Sequence, residues 1–203
     1  MSLQVLKESD TLHAPVFLEV LEDKAGGGTI KMSVLPTTIT ELLAGIPVGE
    51  KSGDDFLHIV KTCEAQAAAT DATAIRIKKD RLITTDDFLC NGTKSVSISA
   101  IAKTNTSYDE LTVSAAFTCA VDQVLYGATS AGTNPTDLEL PVTVIGLTKN
   151  RLEVGDGTTL KQNVTSGVCV RGTVNETVIP FKLDEDGLIK ADLTARIRFV
   201  TTT

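Results

Sequence analysis

Ser95-Val96-Ser97-Ile98-Ser99-Ala100-Ile101 alternates small polar and apolar residues with period two, the pattern of a strand wet on one face and packed on the other. Just upstream, Phe88-Leu89-Cys90 runs into Asn91-Gly92, the dipeptide favoured at the tip of a type I′ hairpin. Downstream, Asn105 to Asp109 reads as a turn and Leu111-Thr112-Val113-Ser114-Ala115 resumes the alternation. Phe56 to Lys61, Ala74-Ile75-Arg76-Ile77-Lys78 and Val121 to Tyr126 extend the same texture on both sides. Residues 56–127 are therefore expected to form a small β-barrel or sandwich module. Within it, the alanine-rich Cys63 to Thr73 fits either a helical turn or a small-residue strand.

Outward from this module the pattern thins. Residues 1–55 read as an extended N-terminal arm, with strand text at Pro15 to Leu21 and at Thr29 to Leu35 and a flexible Ala25-Gly26-Gly27-Gly28 between them. An arm with no core of its own must pack on something. Its apolar residues Val16, Phe17, Leu18, Ile30 and Met32 are the expected subunit or partner contacts. Residues 128–136 are a small-residue linker, and 137–203 form a C-terminal β unit with one short helix. That helix is expected over Asp184 to Thr194, where an acidic start suits the positive end of the helix dipole and Leu188, Ile189 and Leu193 fall near one face. Arg196 to Val200 follows as a last strand. The fold class expected is mainly β, with small antiparallel β-barrel or sandwich units, one short C-terminal helix and an extended N-terminal arm.

Composition narrows the function. Of 203 residues 29 are threonine, a β-branched residue with a hydroxyl that suits half-wet pleated surfaces. Aromatic residues make up 4% and tryptophan is absent, which argues against stacking platforms for sugars or single-stranded nucleic acid. The net charge of −7 opposes binding to a phosphate backbone, so no nucleic-acid partner is expected. The densest basic group, Arg76 to Arg81, reads as a solvated strand end. No apolar run reaches the ~20 residues of a membrane span, and the N-terminus has no signal-peptide pattern, so neither a membrane partner nor export from the host cytoplasm is expected. Cys63, Cys90, Cys119 and Cys169 lie far apart in sequence and are expected as buried free thiols.

No catalytic motif emerges. Of the two histidines, His13 lies in the arm and His58 in a strand beside no nucleophile motif, where it is expected on the wet face. Gly45 to Ser52 misses phosphate-loop spacing, and Glu50 would oppose a phosphate. The acidic groups Asp54-Asp55, Asp86-Asp87 and Asp184-Glu185-Asp186 are expected as solvated turns. A weak calcium loop around Asp156 lacks the alternating ligand pattern. No cofactor, metal or catalytic residue is expected.

Leu57-His58-Ile59-Val60-Lys61-Thr62 with the Ala/Thr-rich segment after it, then Ile75-Arg76-Ile77-Lys78-Lys79 and Asp86-Asp87-Phe88, resembles the β-barrel module of tailed-phage head decoration and head fiber proteins. Val170 to Phe181 and the closing Ile197-Arg198-Phe199-Val200 resemble the C-terminal part of such proteins from phages and prophages of Bacteroides-like hosts. The resemblance spans roughly residues 45 to 200 and is one of texture. It implies a non-enzymatic auxiliary capsid protein on the outside of a phage head, bound to the major capsid protein as a homotrimer. The alternative is another phage structural part, in the tail, the neck or the base of a fiber.

Overall fold

The computed structural model describes residues 15–160, 162–183 and 188–201. The chain opens with β1 (Phe17–Asp23), β2 (Gly28–Ile30), β3 (Glu41–Leu42), β4 (Pro47–Glu50) and β5 (Leu57–Ile59). It continues through β6 (Thr62–Glu64), β7 (Ala69–Lys78), β8 (Phe88–Cys90), β9 (Ser95–Ala102), β10 (Tyr108–Cys119) and β11 (Val124–Ala128). It closes with β12 (Thr143–Thr148), β13 (Leu152–Glu153), β14 (Val164–Ser166), β15 (Val168–Asn175), the helix α1 (Leu188–Thr194) and β16 (Ile197–Val200). The protein is mainly β, with one short C-terminal helix.

Strands β6 to β11 form a six-stranded antiparallel sheet in the order β6-β11-β8-β9-β10-β7. The sheet curls until its two edges meet, at an antiparallel bridge between Ala65 and Ile77 and a 2.8 Å bond from the Gln66 amide to the Arg76 carbonyl. Ile77, Leu89, Val96, Leu111, Phe117 and Leu125 fill the interior of this barrel. The alternation around Ser95 lines it with a correction built into the register. Val113 faces Ile98 but Thr112 faces Ala100, so Ser99 is an extra residue on β9. That bulge shifts the phase, turning Ile101 rather than Ala100 towards the core. The hairpin at Asn91–Gly92 forms as expected in place but not in type. Gly92, at φ +90°, is the first of two central residues between Asn91 and Lys94, and Thr93 after it has no positive φ, whereas a type I′ turn needs one at both central positions. Cys63 to Thr73 resolves into the end of β6, a bend and the start of β7.

Eight of the other strands build a second sheet, in the order β1-β15-β12-β4-β5-β2-β14 with β16 beside β15, and β3 pairs with β13 apart from it. Strand β16 joins it in parallel along Gly172 to Asn175 of β15, on the part of that strand beyond its pairing with β12 at Val168 and Cys169. Glycine permits the closest approaches. A Cβ at Gly146 would run into the carbonyl oxygen of Cys169, and one at Gly172 into that of Glu19.

This sheet changes the expected organisation. The stretch read as an arm through residue 55 carries four strands in its described part, paired to strands from the other end of the chain. Ile30, Met32, Leu42, Ile46 and Val48 share a core with Leu57, Val154 and Val168. Leu57–Ile59, read as the first strand of the barrel module, pairs with β4 in this sheet. The barrel is thus an insertion, entered over Val60 and Lys61 and left through residues 129–142. The segment read as a linker carries a 3-10 turn at Pro135–Asp137, and Gly132 bridges Ser95 of the barrel. A further core cluster joins the units, with Val60, Tyr126 and Ala128 against Val144, Ile189 and Leu193. Helix α1 buries Ile189 and Leu193 as its spacing predicts, whereas the expected start at Asp184-Glu185-Asp186 lies outside the described residues.

Candidate functional site

Two places concentrate chemistry or exposed apolar surface: the outer edge of β1 and a cleft between the two β units. Strand β1 ends the eight-stranded sheet, and β15 is its one partner strand among the described residues. Leu18 is 45% exposed, Val20 38% and Leu21 60%, and among the described residues only Leu43 and Val121 elsewhere are large apolar residues as open as these. Phe17 is half-buried and Leu18 to Asp23 are exposed, so most of the strand is open on both faces as well as along its outer edge. A row of unpaired amides and carbonyls flanked by apolar side chains is a template for another strand.

The five residues expected as contacts divide here. Leu18 is open on β1. Val16 and Phe17 are half-buried against the core that joins the sheet to the helix. Ile30 and Met32 are 0% and 1% exposed and belong to the core within this chain, which corrects the expectation that they meet a partner. The physical reason is pairing: Ile30 sits between Val164 and Leu57, and the Met32 amide donates to Asn163 Oδ1 at 3.0 Å. Val20 and Leu21, which were not among the expected contacts, are open with Leu18 on this strand. Their signal was the apolar text around Glu19 in this strand, which does not say that both faces lie open.

The cleft has a volume of about 340 Å³ and runs between the β4–β5 hairpin on one side and the lead into β8 on the other. Its floor carries Lys61, whose side chain is 7% exposed. Lys61 Nζ donates to Asp87 Oδ1 at 2.8 Å and Oδ2 at 2.6 Å, and the Thr84 amide and hydroxyl donate to the same carboxylate at 2.7 and 2.9 Å. Lys31 and His58 line the wall, and Asp54 beside them accepts from Lys31 Nζ at 2.6 Å and from the Phe56 amide at 3.2 Å, with its Oδ2 3.0 Å from His58 Nε2. The Lys31 ammonium, then the Phe56 amide, hold the Asp54 carboxyl well below the usual carboxylate range. His58 is therefore buried, not on a wet face, and Asp54 and Asp87 are ion-pair partners rather than free turn carboxylates.

The basic group at 76–81 is likewise drawn in. Glu64, itself buried, takes Lys78 at 2.5 Å and Arg81 at 3.2 Å, and Lys79 pairs with buried Asp109 at 2.7 Å. Arg81 also donates to the Pro180 carbonyl and lies 5.0 Å from the Phe181 ring centre, tying barrel to sheet.

These ion pairs and hydrogen bonds tie the two units together. The His58–Asp54 pair is completed by a lysine, so the imidazole is oriented towards no hydroxyl or thiol among the bonds it makes. All four cysteines are free and buried, and burial pushes the Cys63 thiol up. Among the described residues no group of three or more His, Cys, Asp or Glu could hold a metal ion. Asp156 spends both oxygens on the amides and hydroxyls of Thr158 and Thr159, at 2.7–3.0 Å, which holds its carboxyl below the usual range and leaves the loop self-satisfied. His13 lies outside the described residues. Comparison with protein-family models, with curated protein sequences and with solved structures finds no match for this chain.

Proposed function

We propose that this chain is a structural virion protein that attaches to the outside of a tailed-phage head and stabilises the shell. The single observation that carries the reading is β1, an edge strand that leaves Leu18, Val20 and Leu21 in solvent. Its partner in this reading is the major capsid protein, and the oligomer a homotrimer, as the textural resemblance implies. Attachment works by adding interface area between shell subunits, which stabilises the assembled form by mass action. The barrel insertion, with a wet face rich in Ser, Thr and Ala, then projects from the anchored sheet as the decorating part.

The test is co-sedimentation of the purified protein with phage capsids that lack it, set beside a Leu18→Ser/Leu21→Ser variant. Wild type is expected in the capsid pellet and the variant in the supernatant, with both equally folded. Retention of the variant at the wild-type level would remove β1 as the anchor, and no wild-type binding to capsids would remove the virion reading itself.

A further inference from the structure

The outer edge of β1 has a chemical preference as well as a shape. Its seven residues carry Glu19, Glu22 and Asp23 and no basic residue. Asp23 is matched by Lys149 at 2.5 Å and Glu19 lies 3.5 Å from the Thr173 hydroxyl, whereas Glu22, with Arg171 opposite it on β15, forms no ion pair among the described residues. Resting on the reading of β1 as the attachment edge, we infer that it takes up an extended partner segment that combines basic and apolar residues. That segment adds to the eight-stranded sheet as one more strand.

Three observations select this occupant over a second copy of the chain. Two β1 strands laid against each other would bring six carboxylates into one patch with no lysine or arginine of either strand to separate them. The opposite edge of the sheet, β14, offers three residues against the seven of β1 and so cannot cover it in a head-to-tail array. Finally, β1 meets β15 with register shifts after Phe17, Val20 and Glu22. Such bulges twist an edge away from indiscriminate pairing and, with the acidic residues, favour a partner that matches both charge and twist. A strand with apolar side chains for Leu18, Val20 and Leu21 and with Lys or Arg for Glu19 and Glu22 meets every demand. Backbone bonds supply affinity in this mode and side chains supply choice.

The experiment titrates the full chain with two short synthetic peptides of equal length, valine alternating with lysine in one and with glutamate in the other. The lysine peptide is expected to bind, to weaken as salt rises, and to slow amide exchange across residues 17–23. Glu22→Lys and Leu18→Ser/Leu21→Ser should each weaken it by about tenfold, and N-methylation of alternate peptide amides should abolish it. Equal binding of the glutamate peptide, or undiminished binding of the methylated one, would overturn the inference. So would a dimer in sedimentation that Leu18→Ser/Leu21→Ser dissolves, because the occupant would then be a second copy. Peptide binding without capsid binding leaves the inference standing and removes the virion reading; capsid binding through Leu18 and Leu21 without peptide binding does the reverse.

Discussion

Asp87→Ala should be among the most damaging polar substitutions in this chain, and the reason can be worked from the junction between the two units. The substitution removes a carboxylate that accepts two bonds from Lys61 Nζ and two from Thr84. Lys61 sits in the short crossing from sheet to barrel, with a side chain 7% exposed, so its ammonium cannot simply turn into water. A buried charge left without its partner costs about 3–5 kcal/mol. The Thr84 amide, once its acceptor is gone, adds about 1 kcal/mol. Against a total stability on the order of 5–15 kcal/mol, that removes a large share. The asymmetry is the sharper test: Lys61→Met/Asp87→Ala removes both charges and should recover most of the loss, ending within about 2 kcal/mol of wild type. Urea unfolding of the four proteins in the cycle, read as midpoints at constant slope, measures both terms. A loss under about 1 kcal/mol for Asp87→Ala, or a double variant no better than Asp87→Ala alone, would refute the account of Lys61 as a buried cation dependent on this one carboxylate.

Three further outcomes follow from the same geometry. Asp54 and Asp156 both ionise more readily in the folded protein than in the unfolded chain, so their contribution is fully present above the usual carboxylate range near about 4 and is lost as pH falls below it; melting temperature against pH should drop in acid, and Asp54→Asn should flatten that drop. Phe117→Ala, at a fully buried ring in the barrel, should cost about 3–5 kcal/mol, while Leu21→Ser on the open strand should stay within about 0.5 kcal/mol of wild type by the same urea assay. The four thiols should resist a water-soluble thiol reagent in the native protein and react together on unfolding; prompt labelling of Cys63 under native conditions would contradict its burial.

Much of the barrel is legible residue by residue. Val96 and Ile98 point inward because side chains in a strand alternate, a property of the local chain alone, up to the bulge at Ser99. The turn at Asn91–Gly92 is legible for the same reason, since a positive φ is cheap only at glycine and a few polar residues. The burial of the four cysteines agrees with the packing habit of a free thiol, which behaves as a small hydrophobe. The candidate site was harder. Leu18 could be named from its apolar neighbours, yet Ile30 and Met32 have the same texture and lie in the core. Nothing local separates them, because burial depends on which distant strand arrives. His58 looked wet for the same reason: its fate is decided by Asp54 and by Lys31, the latter 27 positions away.

By itself, then, the sequence determined the kind of structure: strands, their turns, a barrel-sized run of alternation and one short helix. Those features depend on backbone sterics and side-chain periods that reach only a few residues. The tertiary structure decided the partnerships. Phe17 meets Val174 and Thr29 meets Thr165, so the ends of the chain close one sheet around an inserted barrel. Backbone hydrogen bonding is the same for every residue type and cannot name its partner. The choice falls to the shared core that the assembled strands enclose. That assembly leaves β1 at the rim, and its position there, more than its composition, makes it the open edge of this protein.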